Sequence, residues 1–379
     1  MMPVRNTSSR EDLSDIYEKV MDKQRLGYED GMRLFESHEI HTIGYLANIV
    51  RERINKNNVY YVINRHINYT NICKNRCKFC AFSRTQEKSD AFLMSIDEMR
   101  DKAARIIEEE GATELHIVGG LHPEVGLDYY FTMIQTLHDC FPSLHLKAFT
   151  AVEIAHFAEI SGTTIRETLK LLKKAGLGSL PGGGAEIFST RIRNELCPEK
   201  ISGQVWLNTM REAHNLGLRS NATLLYGHIE NNEDRVNHLL KLRELQDETH
   251  GFLAFIPLAF HPKNTELKRL SGTQGILDIK MLAIGRLMLD NFDHVKAYWI
   301  MLGIKLSQIS LNFGVDDIDG TVVEEKITHS AGAETPESLT VKQIRSLIEE
   351  TGHEPVERDT LYNRINNHSR SGRGFAASI

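Results

Sequence analysis

Apolar residues follow two different periods along the chain. Between residues 11 and 56 they recur at the three- and four-residue spacing of helices, with stripes that include Leu13 and Ile16 and then Ile43 and Leu46. From residue 60 onward, short apolar runs alternate with helical patterns, which predicts strands and helices in turn. The predicted strands are 60–70, 114–120, 145–152, 177–181, 219–226, 252–260, 295–302 and 308–313.

Helical patterns separate these strands, as in a parallel sheet whose connections are helices. The clearest are Ser95–Glu110, Tyr129–Cys140, Ile165–Ala175, Gly203–Leu216 and Glu233–Asp247. Eight strands joined in this way predict an α/β fold, a TIM-type (β/α)8 barrel, because the helices then cover the outer face of the closed sheet. A doubly wound open sheet is the alternative, but no G-x-G-x-x-G follows an early strand. We expect an N-terminal helical extension (1–58), the barrel (59–320) and a C-terminal extension (321–379).

The composition narrows the class of protein. Of 379 residues, 41% are hydrophobic and 25% are charged, and the formal net charge is −6. No apolar run reaches the roughly 20 residues that span a bilayer, so we expect no membrane partner. No basic face is evident, so we expect no nucleic-acid partner. Because three of the five cysteines are clustered and the N-terminus has no secretory apolar stretch, reduced thiols and a cytoplasmic location are expected.

The clustered cysteines are the strongest chemical signal. Cys73, Cys77 and Cys80 have the spacing C-x3-C-x2-C, on a loop that follows the first predicted strand. Three such thiolates can ligate three irons of a [4Fe–4S] cluster and leave the fourth iron open to a small molecule. The alternative is a zinc site with His66 as the fourth ligand. Zinc sites more often pair two arms that are distant in sequence, and no second arm is evident.

This cysteine spacing resembles the signature of the radical S-adenosylmethionine (SAM) superfamily. The resemblance implies that the amino and carboxylate groups of SAM chelate the open iron. One electron then cleaves SAM to methionine and a 5′-deoxyadenosyl radical. It also implies that Phe79, between the last two cysteines, packs beside the adenine, and that a glycine-rich turn at Gly119 and Gly120 binds the methionyl amino group.

Polar residues mark a common rim of the predicted barrel. Active sites of such barrels lie at the C-terminal ends of the strands, and consecutive glycines there let backbone approach a ligand. His66 belongs to a row of alternating polar residues in the first strand, so it is a candidate catalytic residue, with a hydrogen-bonded core histidine as the alternative. Further cofactor-binding candidates in loops after later strands are Glu153, Glu186 and Tyr226.

Other segments resemble one family within the superfamily, the aminofutalosine synthases of the futalosine route to menaquinone. The resemblance covers about residues 60–333 and rests most specifically on HLKAFTAVEI and AYWIMLG. It implies addition of the deoxyadenosyl radical to the vinyl carbon of 3-[(1-carboxyvinyl)oxy]benzoate. Rearrangement and decarboxylation then give 6-amino-6-deoxyfutalosine. An electron donor such as flavodoxin or ferredoxin is also implied.

The implied substrate carries two carboxylates, which need cationic or amide partners in an apolar cavity. Candidates are His66, Lys147 and Arg84. Two alternatives stay open: the related cyclic dehypoxanthine futalosine synthase, and a non-enzymatic zinc-binding protein. Outside these motifs, the acidic group Asp316, Asp317 and Asp319 is interpreted as a solvated loop rather than a metal site.

Overall fold

The computed structural model describes residues 12–323 and 325–365. Residues 1–11 of the expected N-terminal extension, and residues 324 and 366–379 of the expected C-terminal extension, lie outside the described residues. The strands are β1 Asn58–Val62, β2 Asn64–Ile67, β3 Glu114–Ile117, β4 His145–Ala148, β5 Ser179–Leu180, β6 Arg219–Tyr226, β7 Phe252–Ala259, β8 His294–Val295, β9 Asp317–Gly320 and β10 Glu354–Glu357. The helices before β6 are α1 Ser14–Met21, α2 Tyr28–Glu36, α3 Ile40–Asn55, α4 Ile96–Glu110, α5 Leu127–Cys140, α6 Ala151–Ser161, α7 Ile165–Ala175, α8 Thr190–Leu196 and α9 Gly203–Asn215. Those after it are α10 Asn232–Thr249, α11 Gly275–Met288, α12 Trp299–Leu302, α13 Ile304–Ser310, α14 Ile327–Ser330 and α15 Val341–Glu349.

The main sheet contains seven parallel strands whose spatial order, β2 to β8, is their order along the chain. Helices connect successive strands, and both faces of β6 and β7 are buried apart from the strand ends. This arrangement confirms the predicted α/β class with a curled, barrel-type parallel sheet. A second, three-stranded parallel sheet has the order β10-β1-β9 and joins the first where β1 runs on into β2.

Three predicted strands differ from the structure. Residues 308–313 form the end of α13 and a turn, and residues 295–302 divide into β8 and α12. The third predicted strand ends at Ala148, and α6 begins after Thr150, whose side chain caps the helix. Short apolar runs fit a buried helix as well as a buried strand, so periodicity could not separate them.

A different segment takes the eighth position around the sheet. The backbone N–H of Asp316 donates to the carbonyl of Val295 (3.2 Å), and the N–H of Tyr60 donates to the carbonyl of Asp316 (2.8 Å). Further along, the N–H of His66 donates to the carbonyl of Val323 (3.2 Å). Residues 316–323, here called the closing segment, therefore bond to β8 on one side and to β1 and β2 on the other. The closing segment completes the ring.

Buried ion pairs hold the closing segment. Asp316, Asp317 and Asp319 are all at most 5% exposed, which corrects the prediction of a solvated loop. Their cationic partners are Arg286 for Asp316, Arg358 for Asp317 (2.6 Å) and Lys296 for Asp319 (2.7 Å). Burial alone would raise the pKa of Asp316, but Arg286 and His294 hold it below its usual value. Lys296 and Lys147 likewise hold the pKa of Asp319 below its usual value against the effect of burial, so Asp316 and Asp319 stay charged inside the protein.

A histidine secures the chain just beyond the closing segment. Nδ1 of His329 donates to the carbonyl of Glu325 (2.6 Å), and Nε2 donates to the carbonyl of Thr335 (3.1 Å). Because both ring nitrogens face acceptors, the imidazolium form is favoured. The Glu325 carboxylate, 3.5 Å from Nδ1, raises the pKa of His329 to about 9.

The first prediction concerns the Arg286–Asp316 pair. Replacing Arg286 by Leu removes the guanidinium partner of a buried carboxylate, which keeps only weaker contacts such as that with His294. We expect the free energy of unfolding to fall by about 3–5 kcal/mol. The matched control is Arg166→Ala, which breaks an exposed pair with Glu212 and should change stability by less than about 1 kcal/mol. Urea titration followed by circular dichroism measures both. Equal effects of the two substitutions would contradict the assigned role of the buried pair.

The second prediction concerns pH. The folded-state pKa of His329, about 9, lies above the ordinary value of 6.5. Its contribution to stability is therefore fully present below pH 6.5 and is lost as the pH rises through 9. Nuclear magnetic resonance titration of the His329 ring, assigned with His329→Gln, should give a midpoint near 9. The His329→Gln protein should lose less stability than wild type between pH 6.5 and 9. A midpoint near 6.5 would show that the ring is not held as described.

Candidate active site

The C-terminal ends of the strands surround a cavity of about 330 Å³. Most of the site residues predicted from the sequence line it, although they come from distant parts of the chain. They are His66, Cys73, Cys77, Phe79, Cys80, Gly119, Gly120, Lys147, Glu153 and Glu186. The fold thus brings the cysteine loop, the glycine turns and His66 of β2 into one space.

Backbone hydrogen bonds fix the cysteine loop at the rim of this cavity. The N–H of Cys73 donates to the carbonyl of Arg84 (3.1 Å), and the N–H of Cys80 donates to the carbonyl of Cys77 (2.9 Å). All five cysteines of the chain are free thiols. The thiol of Cys77 lies near that of Cys197, which is buried on the C-terminal side of α8. Burial raises the pKa of the Cys73 thiol, so binding a metal there releases a proton.

The donor set fits an iron–sulfur cluster better than a zinc ion. Among the described residues, no three His, Cys, Asp or Glu side chains converge closely enough to hold one metal ion, as a zinc site requires. The three thiols all line the same cavity, which suits a cluster because each thiolate binds its own iron. The ring of His66 stacks on His116, with ring centroids 4.4 Å apart, so His66 is engaged within the sheet.

The glycine turn after β3 lies directly against the cysteine loop. A Cβ atom on Gly120 would be 2.2 Å from the carbonyl oxygen of Ile72, so this approach requires glycine. The N–H of Gly119 donates to Oε1 of Glu153 (3.1 Å), and the hydroxyl of Tyr69 donates to the same oxygen (2.7 Å). Burial raises the pKa of Glu153. Glu153 lines the cavity, and its contacts indicate that it positions the glycine turn.

Lys200 is a cavity residue that the sequence reasoning missed. Its ammonium group lies 5.2 Å from the ring centroid of Phe79 and forms a short ion pair with Glu186. Burial alone would lower the pKa of Lys200, but the Glu186 carboxylate raises it. Lys200 belongs to the segment CPEKIS, directly after α8, in which no local motif marks a site residue.

Two predicted site residues lie outside the cavity. The guanidinium of Arg84 donates to the carbonyl of Ala81 (2.9 Å) and pairs with Asp90 (2.7 Å), so it braces the cysteine loop from outside. The hydroxyl of Tyr226 donates to Asp278 (2.8 Å) behind the sheet. The sequence placed both residues at the ends of loops or strands but could not give the direction of their side chains. The structure therefore places neither side chain among those that line the cavity, contrary to the expectation from the sequence.

A layer of basic side chains forms the floor of the cavity. His66, His116 and Lys147 are paired in register across β2, β3 and β4. Burial lowers the pKa of both histidines. Lys147 forms a short ion pair with Glu114, which is fully buried. His116, like Lys296, was missed, although its position opposite His66 in the next strand follows once the register is known.

Comparisons with known proteins agree with this geometry. Residues 67–242 match the model of the radical SAM superfamily, and residues 249–370 match that of the CofH/MqnC C-terminal region. The fold is similar to methylornithine synthase (TM-score 0.71, 17% identity), over 89% of this chain and 96% of that one. Within the described residues, no helix is both long enough and apolar enough to cross a bilayer.

Two curated relatives cover nearly the whole chain. An aminodeoxyfutalosine synthase of Thermus thermophilus is 45% identical over 93% of this chain and 96% of its own length. A 5-amino-6-(D-ribitylamino)uracil–L-tyrosine 4-hydroxyphenyl transferase of Methanoculleus marisnigri is 42% identical over 92% and 97%. The chain therefore belongs to the radical SAM superfamily, and within it to the family that contains these two enzymes.

Proposed function

We propose that this chain is an aminodeoxyfutalosine synthase. It adds the deoxyadenosyl group of SAM to 3-[(1-carboxyvinyl)oxy]benzoate and gives 6-amino-6-deoxyfutalosine, methionine and the lost carboxylate carbon. The observation that carries the proposal is one cavity with three thiols at its rim and a buried basic floor. A dianionic aromatic substrate fits such a space. The synthase of Thermus thermophilus, 45% identical over nearly the full length, supports the same activity.

Cys73, Cys77 and Cys80 would hold a [4Fe–4S] cluster, and its fourth iron would take the amino and carboxylate groups of SAM. When bound, the cluster supplies the electron that cleaves SAM to methionine and the 5′-deoxyadenosyl radical. Phe79 would then lie against the adenine. We assign contact with the methionyl amino group to the turn at Gly119 and Gly120.

The remaining cavity residues control where the radical reacts. Glu153 keeps the glycine turn against the cysteine loop, and Glu186 with Lys200 forms the wall beside Phe79. A primary alkyl radical reacts with any group it touches, so the vinyl carbon has to be held close and water excluded. We assign both His66 and Lys147 to contacts with the substrate, with Lys147 as a partner for a carboxylate.

The wider context is part of the proposal. We infer a barrel from 59 to 320, with the helical segment 1–58 and the segment 321–379 as additions. A flavodoxin or ferredoxin supplies the electron in the cytoplasm, and neither nucleic acid nor membrane takes part. The net charge of −6 and the absence of a long apolar run support this setting.

The third prediction follows the adenosyl carbon. SAM labelled at its 5′ carbon, incubated with reduced enzyme and 3-[(1-carboxyvinyl)oxy]benzoate, should give labelled aminofutalosine and one methionine per turnover. An enzyme that abstracts hydrogen would release the label as free 5′-deoxyadenosine. Mass spectrometry of the products separates the two outcomes.

The same assay tests the alternatives. Recovery of the label almost entirely as 5′-deoxyadenosine, together with cyclisation of dehypoxanthine futalosine, would identify the cyclase. Product formation only with tyrosine and 5-amino-6-(D-ribitylamino)uracil would instead match the activity named for the Methanoculleus relative. Either result would replace the proposed function.

The fourth prediction tests the cluster ligands. Cys77→Ala removes one of three thiolates, so bound iron should fall and SAM cleavage should be lost at least 100-fold. Because the cysteine lies on a loop, the thermal midpoint of the metal-free protein should stay close to that of wild type. Cys140→Ala, which changes an exposed cysteine at the end of α5, is the matched control and should keep iron content and activity. Wild-type turnover by Cys77→Ala would contradict the assignment of Cys77 as a cluster ligand.

A further inference from the structure

The floor of the cavity has more cationic and imidazole groups than SAM requires. His66, His116, Lys147 and Lys296 all line it, and they come from four different strands or their continuations. These four side chains are called the basic floor. The rim, by contrast, holds the cysteines and the glycine turns. Because His116 and Gly119 are three residues apart, at most about 10 Å of extended chain separates the floor from the rim.

One group of the basic floor has an unused hydrogen-bonding position. His66 is 5% exposed, and its Nε2 has no hydrogen-bond partner among the described residues. A buried polar atom without a partner is unfavourable by about 1–3 kcal/mol, so this nitrogen is suited to a ligand atom in the cavity. The stack with His116 places a second imidazole at the same level.

The acidic groups around the floor are already engaged. Glu114 faces Lys147, and Asp319 faces Lys296 at 2.7 Å. Glu325 also lines the cavity, and its carboxylate accepts the backbone N–H groups of Ile327 and Thr328 at 2.9–3.0 Å. Each lysine is thus fixed in position by an acidic partner, and the carboxylates are engaged by groups of the protein.

Apolar side chains form the walls between floor and rim. They are Val118, Leu225, Ile256 and Leu258, and they come from β6, β7 and the residue after β3. A wall of this kind suits an aromatic ring, which gains from burial but needs no hydrogen bonds. A ligand with a ring in the middle and an anionic group at one end matches the floor and the wall together.

We propose that the basic floor is the subsite for the ring carboxylate of an aromatic dicarboxylate, so that the substrate enters with that carboxylate first. The inference rests on the proposed function and adds the orientation of the substrate in the cavity. The vinyl carbon has to meet the 5′ carbon of SAM at the rim, and the enol carboxylate is attached to the neighbouring carbon. The ring carboxylate, at the far end of the molecule, then reaches the floor.

The test compares two ligands on the reconstituted enzyme with SAM and an oxidised cluster, which binds without turnover. One ligand is 3-[(1-carboxyvinyl)oxy]benzoate, and the other is 2-phenoxyprop-2-enoate, which lacks the ring carboxylate. The variant is His116→Phe, which keeps an aromatic ring against His66 and removes the N–H. We expect the dissociation constant of the dicarboxylate to rise at least tenfold and that of the monocarboxylate to stay within twofold, measured by anaerobic calorimetry.

Two further variants guard against a folding effect. Lys147→Gln combined with Glu114→Gln removes a charged pair without leaving one charge unpaired, and it should give the same selective loss. His145→Phe is the matched control. His145 lies on the same strand as Lys147, but its ring is hydrogen-bonded to Ser179 and does not line the cavity. This control should leave both dissociation constants within twofold.

The outcomes separate the subsite from the function. If His116→Phe and the double variant weaken the binding of both ligands equally, or of neither, the proposed subsite is overturned. The proposed function is then still decided by the labelling assay. If the wild-type enzyme binds no dicarboxylate at all, the proposed function fails and the subsite with it.

Discussion

The buried pairing of three aspartates with three cations is the interaction on which the rest of this structure depends. Asp316, Asp317 and Asp319 place carboxylates in the buried interior, and their partners reach them from α11, from the segment after β10 and from the residue after β8. Buried charges are tolerated only when paired. The pairs therefore specify where the closing segment lies, between β8 and β2, and so give the cavity its floor.

The rim and the deeper part of the cavity carry different kinds of residues, and this difference follows from the direction of the strands. Parallel strands present their C-terminal ends at one edge, where loops are free to carry the cysteines and glycines. Deeper positions belong to the strands themselves and hold side chains at a regular spacing. Gly120 joins the two levels, because its close contact with Ile72 seats the β3 turn against the cysteine loop.

Burial and charge together explain the chemistry of the lumen. Both histidines of the basic floor lose stabilisation of their charged form through burial, so their pKa values are lowered. Lys147 remains paired with Glu114. Such a lumen presents paired lysines and imidazole groups at one end, with apolar side chains along its walls. These features suit a reaction in which a highly reactive radical has to meet one carbon atom.

Local patterns in the sequence determined the parallel α/β arrangement, the N-terminal helices and the cysteine loop, because periodicity and ligand spacing are properties of neighbouring residues. They also placed His66 and Lys147 at the cavity. Only the tertiary structure decided which segment closes the ring, since buried helices and buried strands have the same apolar composition. Only the tertiary structure shows that Arg84 and Tyr226 do not line the cavity. It also shows that His116, Lys200 and Lys296 do. The direction of a side chain depends on register and on ion pairs between residues far apart in the chain, which no local pattern contains.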